Sequence, residues 1–186
     1  TGAPKTASCS GMIIARPRTS LRSLAPADRA DFVALRMESL RTDPLAFGTE
    51  ADEESSYALH RFDILMRYPD DFCLGFFADG QLAGKLCFNR DRRRRTRHRG
   101  TIWGFYLRPA FRGQGMGRSL LEVALDRIDQ QSDLEQIKLV VVSTNAAAIA
   151  LYTEAGFTVR QLEEQAYRLG AGHYLDLLHM TRHAQK

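Results

Sequence analysis

A run of alternating glycines between a predicted strand and a predicted helix constrains this chain most. The segment reads LRPAFRGQGMGRSLL over Leu107–Leu121, after an apolar TIWGFYL and before a helix-like LLEVALDRI. Amides at a helix start have no intrahelical partner and carry partial positive charge, and glycines let the backbone curve around an anion. The segment therefore predicts a phosphate site, with a glycine-rich turn that binds nothing as the alternative on these residues alone.

Two common phosphate-binding motifs do not fit this segment. The P-loop pattern G-x-x-x-x-G-K-[ST] and the dinucleotide pattern G-x-G-x-x-G both require a glycine where this chain has Arg118. The observed spacing is R-G-x-G-x-G, followed at once by the predicted helix.

The order of predicted elements indicates an α/β chain with a mixed sheet: strand, two helices, three strands, helix, strand, helix, two strands. The clearest local signal is a hairpin whose two apolar runs flank Asp79-Gly80, a pair that tolerates the positive φ of a tight turn. The other predicted elements are strands at 19–24, 101–107, 136–142, 158–168 and 173–182, and helices from 26 to 43, from 55 to 67, after Gly117 and from Asn145 to Gly156.

Charge is distributed unevenly along the chain. The net charge is +4, yet Arg90–Arg99 alone contributes +6 through seven arginines and one aspartate. The remainder is slightly acidic, which does not favour a general nucleic-acid binder, and the arginine run lacks the interleaved aromatics of a base-stacking platform. We expect a solvated loop, with a docking site for an anionic partner as the alternative.

Cysteine content and hydropathy narrow the class of protein. We expect a flexible tail over residues 1–18 and a single domain over 19–186, with no membrane span because no run of about 18 apolar residues exists. Three cysteines without a C-x-x-C pair, in a chain without a signal-peptide pattern, favour the reducing cytoplasm. Cys73 and Cys87 lie in apolar runs and are expected in the core, and no cluster has metal-ligand spacing.

Three segments together resemble the GNAT family of N-acetyltransferases. RGQGMG matches the family signature R/Q-x-x-G-x-G/A, HRGTIWGFYLRPAFRGQGMG resembles its bulged fourth strand, and NAAAIALYTEAGF resembles its N-x-x-A-x-x-x-Y-x-x-x-G-F helix. The resemblance covers about residues 19–183. It implies a GNAT-like, mostly antiparallel twisted sheet of about six to seven strands with helices on both faces.

The resemblance also implies a reaction and its participants. An acetyl group would move from acetyl-CoA, as co-substrate and without a metal, to a primary amine of a small molecule or peptide by direct attack. Dimers are common among relatives, so a homodimer is an open alternative. The acceptor itself is not implied.

Site residues follow from the same resemblance. The main chain of Tyr106 and Leu107 is expected to bond pantetheine, with the Leu107 N–H near the thioester oxygen. Asn145 and Tyr152 are seven residues apart and share a helix face, so both are expected to face the cofactor. An ordinary helix cap is the alternative for Asn145, and the two roles are compatible. Tyr152 is the expected general acid, with a core aromatic as the alternative. The residues expected to hold the pyrophosphate are Arg112, Gly113, Gln114, Gly115, Met116, Gly117 and Arg118.

The chain departs from the family pattern at the general base. The predicted fourth strand, TIWGFYL, has no carboxylate. A water relay and four glutamates remain open, each glutamate being expected as a surface charge: Glu38, Glu50, Glu53 and Glu54. A fold that binds acyl-CoA without turnover therefore stays an alternative.

Overall fold

Seven strands form one sheet in the order β1-β2-β3-β4-β5-β7-β6, in a computed structural model that describes residues 17–54 and 57–185. The strands are β1 (Thr19–Ser23), β2 (Phe72–Ala78), β3 (Gln81–Arg90), β4 (Arg99–Leu107), β5 (Gln136–Val142), β6 (Thr158–Gly170) and β7 (His173–His183). The helices are α1 (Arg29–Thr42), α2 (Ala51–Glu54), α3 (Ala58–Leu65), α4 (Met116–Asp129) and α5 (Ala146–Glu154). All pairings are antiparallel except β4 with β5, which confirms the predicted fold class.

Some sequence predictions fall on residues that the structure does not describe. Residues 1–16 of the predicted tail, Cys9 among them, lie outside the described range. Residues 55–56 of the predicted helix over 55–67 lie outside it too, and α3 occupies the described part of that segment. In the described chain, no helix is long and apolar enough to cross a membrane.

The hairpin between β2 and β3 turns where it was predicted. Asp79 and Gly80 have φ of 48° and 79°, the left-handed pair that suits a two-residue hairpin turn. Behind the turn, Cys73 and Cys87 face each other across the two strands, both buried and free, with their sulfur atoms 2.9 Å apart. The prediction that these two cysteines lie in the core is confirmed.

Helices cover both faces of the sheet and bury two separate apolar clusters. On one face α4 and α5 pack over the central strands, through side chains such as Leu121 and Tyr152. On the other face α1 and α3 pack through Phe32 and Phe62, whose ring centroids lie 5.1 Å apart. The sheet is therefore buried from both sides, which explains why β2 is fully buried.

A gap opens between β4 and β5 in the middle of the sheet. The two strands pair only over Arg99–Thr101 and Gln136–Lys138, and no pairing continues along β4 toward Leu107. At the point of divergence Gly104 has a φ of 62°, and the pairing of β4 with β3 shifts register beside it. The left-handed backbone there suits glycine, since other residues rarely adopt it. The bulge thus directs the end of β4, from Gly104 to Leu107, away from β5.

Candidate functional site

The glycine loop presents unbonded amides at the start of α4. The first α4 amide that bonds an earlier carbonyl belongs to Ser119, which donates to Gly115 O at 3.0 Å. Gly115 is the N-cap with a φ of 80°, and no side chain caps the helix. The amides of residues 113–118 have no hydrogen-bond partner in the described chain. A Cβ at Gly113 or Gly115 would meet nothing within 4 Å, so both positions border open space. Such an arrangement suits an anion.

Side chains of this loop hold it in place. Arg112 donates through Nε to Leu107 O at 2.7 Å and forms an ion pair with Asp43. Arg118 pairs with Glu154 of α5, and Gln114 donates to Ala110 O at 2.8 Å. The loop therefore offers its main chain, while its two arginines are already engaged with carboxylates.

The main chain of Leu107 faces the gap between β4 and β5. Arg108 N–H donates to Ala83 O of β3 at 2.9 Å, and consecutive residues of an antiparallel strand turn their polar groups to opposite sides. Leu107 therefore turns its N–H away from β3, as expected. Tyr106 pairs in register with Lys85 and turns its main chain toward β3. Because main-chain polar groups alternate in direction along the strand, those of Phe105 face the gap together with those of Leu107. The expectation that the Tyr106 main chain faces the gap was therefore wrong.

The hydroxyl of Tyr106 instead joins a polar cluster beside α1. It donates to Glu38 Oε1 at 3.1 Å, and Arg108 binds the same carboxylate with both Nε (2.9 Å) and Nη2 (2.8 Å). The Arg108 guanidinium holds the pKa of Glu38 below its usual range. Glu38 is therefore a half-buried, ionised group rather than a free surface charge, and its lowered pKa makes it a weak base.

Tyr152 lies on α5, and Asn145 is the residue that caps the start of this helix. The Asn145 side chain accepts a hydrogen bond from Ala148 N at 3.1 Å, which confirms the predicted cap. Tyr152 is 8% exposed and packs between Phe105 and Phe157, with ring centroids 6.2 and 6.0 Å away. Burial raises the pKa of its hydroxyl, so the phenol is protonated at neutral pH.

Comparison with known proteins decides the family. The profile of the acetyltransferase (GNAT) family matches residues 35–157, which include the glycine loop, the gap and α5. The chain belongs to the GNAT family.

Individual GNAT relatives match parts of the sequence. The ribosomal protein bS18-alanine N-acetyltransferase of Salmonella typhimurium is 34% identical over 73 residues, 39% of this chain and 49% of that protein. N-alpha-acetyltransferase 30 of Dictyostelium discoideum is 27% identical over 122 residues, 66% of this chain and 64% of that protein. The chain thus spans less than two thirds of the length of either curated relative.

Solved GNAT structures match nearly the whole fold. An acetyltransferase of Streptococcus pneumoniae superposes with a TM-score of 0.79 at 25% identity, over 89% of this chain and 99% of that one. A phosphinothricin acetyltransferase of Sinorhizobium meliloti, solved in complex with AcCoA, gives a TM-score of 0.76 at 22% identity over 89% and 88% of the two chains. The second likeness, at that identity, shows the fold alone.

Lys85 is a polar residue of this GNAT site that the sequence-based interpretation missed. It is fully buried on β3, and its ammonium donates to Gly104 O at 3.0 Å and lies 5.1 Å from the Phe32 ring centroid. Burial lowers the pKa of this lysine. The hydrogen bond fixes the carbonyl at the β4 bulge. A single lysine within the apolar run of β3 was the available signal.

The four glutamates considered as bases lie in different environments. Glu38 contacts Tyr106, as described above. Glu50 and Glu53 are exposed, as expected. Glu54 is fully buried, contrary to the expectation of a surface charge, because Arg36 and Arg61 both reach its Oε1, at 3.1 and 2.9 Å.

In the part of the chain that the structure describes, no cluster of His, Cys, Asp and Glu could hold a metal.

The arginine-rich loop has ion-paired arginines at its two ends and, in the described structure, exposed, unpaired ones at its centre. Arg90 pairs with Asp133 at 2.7 Å, and Arg92 pairs with the buried Asp71 and stacks on a tyrosine ring. Arg97 and Arg99 also lie within ion-pair distance of aspartates. The described structure gives no ion pair to the exposed residues 93–95.

Proposed function

We propose that this GNAT protein transfers the acetyl group of acetyl-CoA to a primary amine. One observation carries the proposal: a strand edge left open by the divergence of β4 from β5 leads to the unbonded amides at the start of α4. The bS18 relative, an N-acetyltransferase, and the phosphinothricin acetyltransferase solved with AcCoA support it.

The described residues fit the coenzyme. Amides of residues 113–118 would hold the pyrophosphate, since they are unbonded in the described chain and stand at a helix N-terminus beside open space at Gly113 and Gly115. Phe105 and Leu107 would bond the pantetheine amides as an added strand would. Asn145 would contribute its side-chain NH₂, because its oxygen is already engaged in the cap.

Leu107 N–H and Tyr152 O–H would stabilise the negative charge that develops during the reaction, on the carbonyl oxygen and on the departing sulfur respectively. The amine nitrogen bonds to the thioester carbon, the carbon–sulfur bond breaks, and the amine releases a proton to water. Leu107 N–H donates to the carbonyl oxygen as negative charge develops there. Tyr152 O–H donates a hydrogen bond to the departing sulfur. Since burial raises the phenol pKa above that of an ordinary thiol (about 8.5), Tyr152 stabilises the thiolate largely without surrendering its proton.

Substitution of Tyr152 tests this assignment. Tyr152→Phe keeps the ring between Phe105 and Phe157 and removes only the hydroxyl. We expect turnover to fall about 10²–10³-fold, the cost of removing one positioned hydrogen-bond donor to developing charge, with coenzyme affinity nearly unchanged. The measurement is thiol release over a panel of primary amines, together with calorimetric binding of acetyl-CoA.

Two results would contradict the proposal. Turnover of Tyr152→Phe within twofold of the parent, with chemistry rate-limiting, would make Tyr152 a core aromatic. Tight binding of acetyl-CoA without acetylation of any amine in the panel would favour the acyl-CoA-binding alternative without turnover.

Three further expectations stay predictions. Residues 19–186 would act as one acetyltransferase domain. The free thiols of Cys73 and Cys87 support a reducing, cytoplasmic location. A homodimer stays an open alternative, which sedimentation velocity would test.

A further inference from the structure

The bulge of β4 leaves main-chain groups without a partner in the strand ladder. Between two successive register pairs with β3, β4 has two residues, Gly104 and Phe105, where β3 has only Leu86. The extra residue of a bulge is left unpaired, and a carbonyl shielded from water costs free energy unless a donor reaches it. The partly buried Gly104 carbonyl takes its donor from a side chain.

That donor is the ammonium group of Lys85, which lies 3.0 Å from Gly104 O. The Lys85 side chain is fully buried, with the Phe32 ring centroid 5.1 Å from the ammonium and no carboxylate paired with it in the described structure. Removing an ammonium group from water is costly unless the group gains partners. An apolar side chain of similar length would avoid that cost, so the hydrogen bond to the bulge is what distinguishes lysine at this position.

The hydrogen bond from Lys85 fixes the direction of the next amide. No peptide bond in the described chain is cis, and in a planar trans peptide the C=O and the N–H point in opposite directions. Because Gly104 O points to the Lys85 ammonium, the Phe105 N–H points away from it. The alternation along β4 places the same N–H in the gap between β4 and β5.

The backbone of Gly104 would not hold this direction by itself. Its φ of 62° is one of several conformations that are open to glycine at similar cost. A Cβ at this position would come within 3.3 Å of Lys85 Nζ, so the close approach of the ammonium also requires glycine. Glycine permits the bulge, and the lysine selects one orientation of it.

We propose, resting on the acetyl-transfer function above, that Lys85 is a positioning residue of the coenzyme site. Its ammonium holds the Gly104 carbonyl so that the N–H groups of Phe105 and Leu107 face the pantetheine arm and the thioester together. Lys85 itself touches neither the coenzyme nor the acceptor. The amides proposed for the pyrophosphate begin at Gly113, beyond the end of β4, and do not depend on this hydrogen bond.

Lys85→Met tests the hydrogen bond, because methionine is unbranched, has nearly the length of lysine and has no donor. We expect the Kd of coenzyme A, measured by isothermal calorimetry, to rise at least fivefold. The Kd of ADP, which has the pyrophosphate but no pantetheine arm, should stay within twofold in an amide chemical-shift titration. In acetyl transfer to a primary amine, kcat should fall at least tenfold, since the Leu107 N–H would lose its position at the thioester oxygen.

Cys73→Ala is the matched control for a loss of packing. Cys73 is as buried as Lys85, lies on β2 and is farther than 4 Å from a Cβ built at Gly104. This variant should lower the free energy of unfolding, measured by urea denaturation, without changing the Kd of coenzyme A or kcat. If Lys85→Met fails to fold, Lys85→Gln takes its place, because its amide ends one bond short of the Nζ position and should show the same difference between coenzyme A and ADP.

The outcomes separate this inference from the proposed function. Unchanged coenzyme A affinity and kcat in the Lys85 variant overturn the positioning role. Equal losses of affinity for coenzyme A and ADP, or the same loss in Cys73→Ala, also overturn it, because the effect would then be a general loss of stability. A loss of affinity for coenzyme A but not for ADP, in a protein whose parent acetylates no amine, supports the positioning role and overturns acetyl transfer.

Discussion

Two basic loops of this protein differ in how they use their backbone. In the loop over 91–98, Arg93 O accepts from the amides of Thr96 and Arg97, both at 2.9 Å, so the main chain is internally bonded. In the loop over 112–118 the amides of 113–118 are unbonded and the arginines are paired with Asp43 and Glu154. The arginine-rich loop offers side chains to solvent, and the glycine loop offers amides.

This difference indicates which loop is better suited to bind a phosphate group. Exposed arginines attract anions over several ångströms, but salt screens them and their flexible side chains lose freedom on binding. Fixed amides at a helix start cost no such ordering and add the helix dipole. Net charge alone would have favoured the arginine-rich loop, whereas the hydrogen bonds favour the glycine loop.

The largest effect should come from a negative charge in the glycine loop. Gly117 lies in the first turn of α4, and a Cβ there meets only Phe105 and Leu151, at 3.8 and 4.0 Å, so Gly117→Glu fits the fold. An acidic residue in a first helical turn is ordinarily stabilising. We expect the Kd of acetyl-CoA to rise at least tenfold, about 1.4 kcal/mol, by isothermal calorimetry.

The control for that variant is Gly117→Gln, which has nearly the same size without the charge. It should weaken binding less than Gly117→Glu does. Gly115 is less suitable for this comparison, because its φ of 80° would strain any side chain. Unchanged affinity in Gly117→Glu would exclude the loop as the pyrophosphate site.

A smaller effect, on stability rather than binding, should follow from the paired end of the arginine-rich loop. Arg92→Ser removes the guanidinium that pairs with the buried Asp71, which keeps its hydrogen bonds from Asn89 and the Arg90 amide, and also removes the stacking on Tyr68. We expect the free energy of unfolding to fall by about 1–2 kcal/mol, measured by urea denaturation, with the Kd of acetyl-CoA unchanged. A rise in that Kd with stability intact would show that Arg92 serves the coenzyme.

The smallest effect should come from the centre of the same loop. Replacing Arg93, Arg94 and Arg95 together with serine removes three exposed charges that have no carboxylate partner in the described structure. Turnover of a small amine should stay within about threefold, since surface changes usually cost little. A large rise in KM for coenzyme or acceptor, stronger at low salt, would mean that the loop guides an anionic ligand.

Local features of the fold were predictable from the sequence, because neighbouring residues determine them. The Asp79-Gly80 turn and the Asn145 cap each need only a few adjacent residues. The bulge in β4 was expected from the family resemblance rather than from any residue pattern.

Long-range pairing explains what the sequence did not reveal. Arg112 and Asp43 are 69 residues apart, and Tyr106 and Glu38 are 68 apart, so no local pattern links them. Glu54 was expected at the surface, since nothing in ADEE distinguishes the glutamate that two arginines bury. The direction of the Tyr106 main chain depends on its register with β3, which hydropathy does not specify.

Amide chemical shifts test the central comparison most directly. The ¹⁵N–¹H spectrum of the protein would be recorded during a titration with coenzyme A at physiological salt. The largest shifts should occur at the amides of Gly113, Gly115 and Gly117, with those of Arg93–Arg97 nearly unmoved. Shifts confined to Arg93–Arg97, with the glycine amides unmoved, would contradict the account.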